Sequence, residues 1–312
     1  MARAGNKAGP SFARTWETTM DNIIQILISG ILVGMSYAVL SAGLALIFGV
    51  MKIINFAHAS FAVLAMYIPA FWFLQWWHIN PFISSLIALP MFFVIGFLIQ
   101  RVLIGRVIGK PESETSTLII CMGLSFLIDN MILIIWTGAP RIINEPYTTG
   151  TWALGNILIN QAQTYSLVIS SVIITGLFLF LNKTMIGKGI KAAADDPESC
   201  AYMGINLKFV YATAFGLGIA TTAAGGCLMA TYRSFNPFYG ESIVIILFAS
   251  VILGGMTSIP GAVIGALIIG VIQQVSAMMF NVSLQNIAIF AIFVVFLYVR
   301  PQGILGKKER IV

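Results

Sequence analysis

Long apolar runs without charge constrain this chain more than any other feature. They fall at about 22–49, 61–78, 82–104, 116–137, 164–182, 209–231, 241–253, 261–280 and 284–299. A helix of roughly 20 apolar residues spans the hydrocarbon of a bilayer, and several of these runs reach that length. With 59% hydrophobic and 9% charged residues, the chain falls well short of the roughly one-quarter charged residues of a soluble domain. In lipid only helices and closed barrels satisfy every backbone group, and these runs are too long and continuous for barrel strands. The expected fold is therefore all-α, a polytopic membrane bundle of about 8–10 transmembrane or half-membrane helices. The run at 22–49 is long for one span and that at 241–253 short, so either is a candidate for a broken or re-entrant segment.

The flanking charges predict orientation. Arg101, Arg106 and Lys110 share one loop, Lys183, Lys188, Lys191 and Lys208 another, and Arg300, Lys307, Lys308 and Arg310 the tail. Basic loops stay in the cytoplasm, whereas the loops at 138–163 and 232–240 hold only Arg141 and Arg233 and are expected outside. This bookkeeping puts the N-terminus outside, although Arg3, Lys7 and Arg14 favour inside. Two crossings or a half-helix within residues 22–60 would remove the conflict. The division is a polar segment at 1–20, a transmembrane domain at 21–300 with a cytoplasmic loop at 183–208, and a cytoplasmic tail at 301–312. Residues 1–20 lack the short apolar core and cleavage site of a signal peptide. The loop from Thr137 to Gln163 contains Gly138, Pro140, Pro146 and Gly155 and predicts turns with a short hairpin.

The most informative loop runs from Gly187 to Asn206. Asp196 is a good N-cap, Pro197 fits the first helical position, Glu198 suits the positive helix end, and Gly204 is a C-terminal stop. These predict a short helix at 197–203 preceded by another helical piece containing Lys191 and Asp195. Such a helix is either an ordinary capped interfacial turn or a knob that couples motion from a cytoplasmic partner; Tyr202 also suits an interfacial anchor.

Met51 to Ser60 is a polar interruption in which Asn55 and His58 either line a pathway or sit in a connecting loop. Asn236-Pro-Phe-Tyr-Gly240, Gly254-Gly255 and Ser258-Ile-Pro-Gly261 suggest a helix broken around glycines, the kind of element that lines substrate sites. Asp129, beside Asn130, lies inside an apolar run, where a charge is costly unless it faces a cavity or partner. Glu241 is expected at the interface. Gly30-x-x-x-Gly34 and Gly261-x-x-x-Gly265 permit close helix contact. No G-x-x-x-x-G-K-[ST] loop is present, the two histidines and three cysteines form no metal motif, and no catalytic triad or carboxylate pair stands in a soluble loop. No enzymatic activity, cofactor, metal or nucleic-acid partner is expected.

In order and spacing, Ile54-Asn-Phe-Ala-His58, Asp195-Asp196 to Gly204-Ile-Asn206, Asn236-Pro237 to Gly240, Val251-Ile-Leu-Gly-Gly255 with Ser258-Ile-Pro-Gly261, and Arg300-Pro-Gln-Gly-Ile-Leu-Gly306 resemble the LivH-type permeases of branched-chain amino acid ABC importers, which have urea- and amide-transporting relatives. The resemblance covers nearly the whole chain from about residue 22. It implies a permease subunit in a bacterial cytoplasmic membrane, with the 188–205 loop docking on the ATPase. It also implies a homologous second permease, two ABC ATPase subunits and a soluble substrate-binding protein. Lys191, Asp195, Asp196, Pro197, Glu198, Tyr202 and Gly204 are then the coupling candidates, and Asn55, His58, Asp129, Asn130, Asn236 and Glu241 the pathway candidates.

The departures from that pattern matter. Ala59 and Ser60 stand where the family usually has Gly and an acid, Asp129 where glutamine is common, Ile246 where lysine is common, and Glu241 where an apolar residue is usual. The pathway is expected to be more negative, favouring a neutral or amine-bearing solute over a leucine-like one. The leading function is ATP-driven import of a small polar solute. A secondary carrier centred on Asp129 and an intramembrane enzyme are the competing classes.

Overall fold

The computed structural model describes residues 12–108, 112–279, 285–300 and 302–306. Helix α1 (Phe12–Met51) is followed by a second span formed by α2 (Ala57–Ala65), a π-helical turn (Met66–Trp72) and α3 (Phe73–Trp77). Then come α4 (Pro81–Val102), α5 (Ser113–Trp136), a short α6 (Pro146–Thr149), the antiparallel hairpin β1 (Thr151–Leu154) and β2 (Ile157–Asn160), and α7 (Gln161–Lys183). Helices α8 (Met185–Asp195) and α9 (Pro197–Tyr202) form the next connection. The bundle is completed by α10 (Leu207–Ala230), α11 (Tyr239–Gly254), α12 (Ile259–Met279) and α13 (Gln285–Val299). Seven helices among the described residues are long and apolar enough to cross a membrane, and two shorter apolar helices accompany them. The expected polytopic helical bundle is the one observed.

Local chemistry sets many of the helix starts. The side chains of Asn80, Asn160, Thr184 and Asn206 accept hydrogen bonds from the backbone N–H of Phe82, Gln163, Gly187 and Phe209 at 3.0–3.2 Å. Each cap of this kind contributes roughly 1 kcal/mol by satisfying a donor that the first turn leaves free. Beyond the caps, burial sorts the helices. The apolar windows of α1 and α10 are 83% and 94% buried, whereas that of α5 is 17% buried. Thus α1 and α10 form the centre, while α5 turns Phe126, Ile134 and Ile135 outward.

Glycines set the closest approaches. A Cβ on Gly30 would lie 2.7 Å from the Cα of Val271, and one on Gly34 would lie 2.9 Å from that of Leu267. The Gly30–Gly34 pair thus seats α12 against α1 within this chain. Gly261 and Gly265 likewise admit the backbone of α11 at Gly254 and Ser250. Both small-residue patterns are used inside the fold.

Helix α1 runs unbroken from Phe12 to Met51, which corrects the idea that residues 22–60 cross twice or form a half-helix. Nothing in this stretch breaks it: it contains no proline, and its glycines are absorbed by packing. Gln25 exchanges two hydrogen bonds with Leu158 of the hairpin at 2.6 and 2.8 Å, so the first half of α1 lies at the hairpin end of the bundle. The other end of α1 shares an apolar cluster with α8, at the basic end. Arg3, Lys7, Lys110, Lys307, Lys308 and Arg310 lie outside the described residues.

Candidate functional site

A cavity lined by two acidic side chains lies beside α11. This helix of 16 residues is about 24 Å long, short of a hydrocarbon layer of roughly 30 Å. Its first turn dips into the bundle, where a Cβ on Gly240 would lie 3.6 Å from Ala59 and Val63 of α2. The adjacent Glu241 lines a cavity of ≈ 150 Å³ together with Asp129 of α5 and Ser60 of α2. The hairpin-end rim is marked by aromatic contacts of Trp136 with Tyr67 and Trp72, at 5.4 and 6.0 Å between centroids. Asp129 precedes Trp136 by seven residues, which sets the cavity about 10 Å inward along α5. Glu241, expected at the interface, is exposed and lines the same cavity as Asp129.

A chain of polar contacts crosses this cavity wall. The Ser60 and Ser125 hydroxyls are 2.7 Å apart, and Ser125 donates to Asp129 Oδ2 at 3.4 Å. Asp129 Oδ1 is buried with no hydrogen-bond partner. The sequence reading missed Ser125, although it lies one helical turn before Asp129 and so on the same face. Asn130 points away, donating to the Phe126 carbonyl from an exposed position. Asn236 is a local cap whose side chain accepts from the Phe238 N–H at 3.0 Å. Of the six expected pathway residues, the structure brings only Asp129 and Glu241 together at one cavity.

Asn55 and His58 sit behind it. Asn55 is fully buried, and its Oδ1 accepts from the Ala57 N–H at 3.1 Å, starting α2. His58 is 1% exposed, and its Nε2 meets the Leu40 carbonyl at 3.0 Å and the Thr222 hydroxyl. A carbonyl only accepts, so Nε2 carries the proton, and the ring bolts α2 to α1 and α10. His58→Ala is expected to cost about 2–4 kcal/mol by leaving a void and an unpaired carbonyl. The check is the melting temperature of the purified chain: unchanged stability with lost transport would assign His58 to the pathway instead.

The second candidate surface is the connection between α7 and α10. Ile190, Ala193 and Cys200 are buried with Ala42, Leu46 and Val50 of α1, Leu177 and Leu181 of α7, and Val210 and Ala214 of α10. One face of α8 and α9 is thus packed onto three membrane helices. The opposite side is open, with Tyr202 89%, Met203 80% and Met185 83% exposed. Pro197 occupies the first turn and Glu198 is exposed beside it. Gly204 takes φ +80, its N–H donates to Ala201, and the Ile205 N–H donates to Cys200, both at 3.0 Å. Lys191 lies back along α7, bonded to Asn182 and 5.9 Å from the Phe178 ring centroid, and Asp195 is exposed at the end of α8.

Asp196 caps α9 by accepting from the Ser199 N–H at 3.0 Å and from its hydroxyl. The Ser199 hydroxyl first, and then its amide, hold the Asp196 carboxyl below its ordinary 3.8. A depressed carboxyl contributes stability that is complete above the unfolded value and lost as pH falls through the folded one. Amide exchange at Ser199, corrected for intrinsic rate, is expected to stay slow down to about pH 4 and to quicken only below it. Quickening that begins near neutrality would contradict this cap.

Comparison with known proteins agrees with this architecture. The family model described as "Branched-chain amino acid transport system / permease component" matches residues 26–297. The high-affinity branched-chain amino acid transport system permease protein BraD of Pseudomonas aeruginosa is 28% identical over 301 residues, covering 92% of this chain and 96% of its own. LivH of Salmonella typhimurium, with the same description, is 28% identical at the same coverage. The ribose import permease protein RbsC of Haemophilus influenzae is 24% identical over 312 residues, 93% of this chain and 88% of its own. No solved structure matches. A multi-pass helical bundle with a family match over most of its length admits one conclusion: the chain belongs to the permease components of branched-chain amino acid transport systems.

Proposed function

We propose that this permease conducts a small polar solute into the cell as part of an ATP-driven importer, with its basic end in the cytoplasm. Its partners are two ABC ATPase subunits, a homologous second permease and a soluble substrate-binding protein, assembled in a bacterial cytoplasmic membrane. The observation that carries this reading is the two-sided α8–α9 connection. Its inner face is locked into α1, α7 and α10, and its outer face presents Tyr202, Met203 and Met185 to a partner. Force applied to α9 therefore reaches the central helices through packed side chains, which transmit displacement because packed interiors resist compression. Rocking of α1 and α10 would open the cavity at Asp129 to one side at a time. The likeness to a ribose permease supports treating the solute as a property of side chains lining the path, apart from the fold.

The test is labelled-solute uptake in cells expressing the full transporter, with Tyr202→Asp and Met203→Asp introduced together. Charges placed in a desolvated docking patch are expected to remove ATPase co-purification and uptake while membrane abundance holds. Uptake that persists without the ATPase would favour the alternative of a secondary carrier using Asp129.

A further inference from the structure

Helix α11 ends where water does not reach it. Leu253, Gly254 and Gly255 are buried, and the last carbonyls of a helix find no partner within it. The turn that follows meets part of the need, because the Gly255 N–H donates to the Val251 and Ile252 carbonyls at 2.9 and 3.2 Å. The other two carbonyls are served from the far end of the chain. The Ile304 N–H donates to the Leu253 carbonyl at 2.9 Å, and the Leu305 N–H donates to that of Gly254 at 3.0 Å. Residues 302–306 thus lie across the end of α11 as a strap, held by backbone groups.

The strap is fitted closely at both of its ends. It leaves α13 through a turn closed by the Gly303 N–H on the Arg300 carbonyl at 3.0 Å. Gly303 takes φ +80 and Gly255 φ +107, conformations open to glycine at no steric cost. A Cβ on Gly303 would lie 2.5 Å from the Gly255 Cα, and one on Gly255 would lie 2.6 Å from the Gly306 N. Side chains contribute less, since Leu305 is 45% exposed. From the strapped end the chain passes directly into α12, where Gly254 and Gly261 meet backbone to backbone. Ile259 and Val263 of α12 then pack against the cluster that holds Ile190, Ala193 and Cys200 of α8 and α9. At the other end of this path is α11, whose Val244 lines the Asp129 cavity.

We infer that residues 302–306 are a transmission strap: by capping the buried end of α11 they tie it to α13 and to the first turn of α12, so that movement imposed at α9 carries the cavity wall with it. This rests on the importer reading above and gives the tail a part in its motion. With the strap in place the 254–261 turn has no slack, because main-chain atoms meet main-chain atoms there and no rotamer change absorbs a displacement. With the strap withdrawn, two buried carbonyls lose their partners and the end of α11 must fray to find others. Fraying there uncouples the cavity wall from α9 and leaves the exposed α8–α9 surface as it was.

The test uses the complete transporter, with its ATPase subunits and second permease, in lipid nanodiscs. A thiol introduced by Val244→Cys is followed with fluorescein maleimide. Cys121, Cys200 and Cys227 are buried, so the chain without that substitution supplies the blank. Trapping with MgATP and vanadate is expected to change the labelling rate at least about fivefold with the strap intact, and less than about twofold in Leu305→Pro. Leu305→Pro removes the donor to Gly254, whereas Leu305→Ala keeps it and should respond like the parent. Should the proline variant fail to assemble, replacing Leu305 by its α-hydroxy acid removes the same N–H and leaves the side chain, with the same loss of response expected. ATP hydrolysis and melting temperature of that ester are expected to hold. A full response without the N–H overturns the inference, as does a loss of response that only follows a fall in melting temperature. A strap-intact transporter that hydrolyses ATP with no change at Val244 overturns the inference alone. A chain that assembles with no ATPase overturns the importer reading with it.

Discussion

Gly204→Pro is expected to lower uptake at least about tenfold while the chain still inserts, because it removes the stop that orients α9. Gly204 holds φ +80 and donates its N–H to Ala201. Proline is fixed near φ −65° and has no N–H, so it loses the backbone conformation and the hydrogen bond together, at a cost of about 3 kcal/mol or more. No atom lies within 4 Å of a Cβ built at this position, so the damage is to the backbone and is not a clash with the bundle. Gly204→Ala keeps the N–H and carries only the penalty of positive φ, about 1–2 kcal/mol, and should fall between wild type and proline. Glu198→Lys, which replaces an acid by a cation at the positive end of α9, should also lower uptake with abundance retained. The readouts are solute accumulation, membrane abundance and ATPase co-purification. Full uptake in both Gly204→Pro and Glu198→Lys would reduce α9 to an interfacial turn.

Gly265→Leu should be more drastic, with little folded protein recovered. A Cβ there already meets the Ser250 carbonyl and lies 2.9 Å from the Gly254 N. Since these are backbone atoms, no rotamer change relieves the contact, and α11 must part from α12. Overpacking of this kind costs at least about 1–3 kcal/mol when only side chains need move, and more when a helix must. Gly123→Leu supplies the contrast, because nothing lies within 4 Å of a Cβ on that α5 glycine. Detergent-extracted chain, followed by size-exclusion chromatography, should show a monodisperse peak for Gly123→Leu and aggregate for Gly265→Leu. Equal behaviour would mean that the α11–α12 seam is not a limiting contact.

These two glycines also show how far local sequence carries. The role of Gly204 was legible because an N-cap, a proline and a glycine at fixed offsets describe one short helix without reference to anything distant. Gly265 belonged to a small-residue pattern whose partner helix was open. Its partner is Ser250 on the preceding helix, and the Gly30–Gly34 pattern is similarly satisfied by Val271 and Leu267 of α12, far along the chain. Spacing identifies a face that tolerates close approach and says nothing of which helix approaches.

The sequence by itself determined the class of the chain and the positions of its spans, because lipid leaves the backbone no alternative to the helix and a run of apolar residues states its own length. It also determined the caps and stop of α9, which depend on residues within one or two turns. The tertiary structure decided which polar residues face one another. Of the pathway candidates, His58 is enclosed with its Nε2 against Leu40 of α1 and Thr222 of α10, and Asn55 is buried at the start of α2. Asp129 and Glu241 share a cavity because the first turn of α11 is seated on α2 at Gly240, beside α5. Charge and spacing along a chain fix what a residue can do, whereas its partners come from helices brought together by packing over long separations.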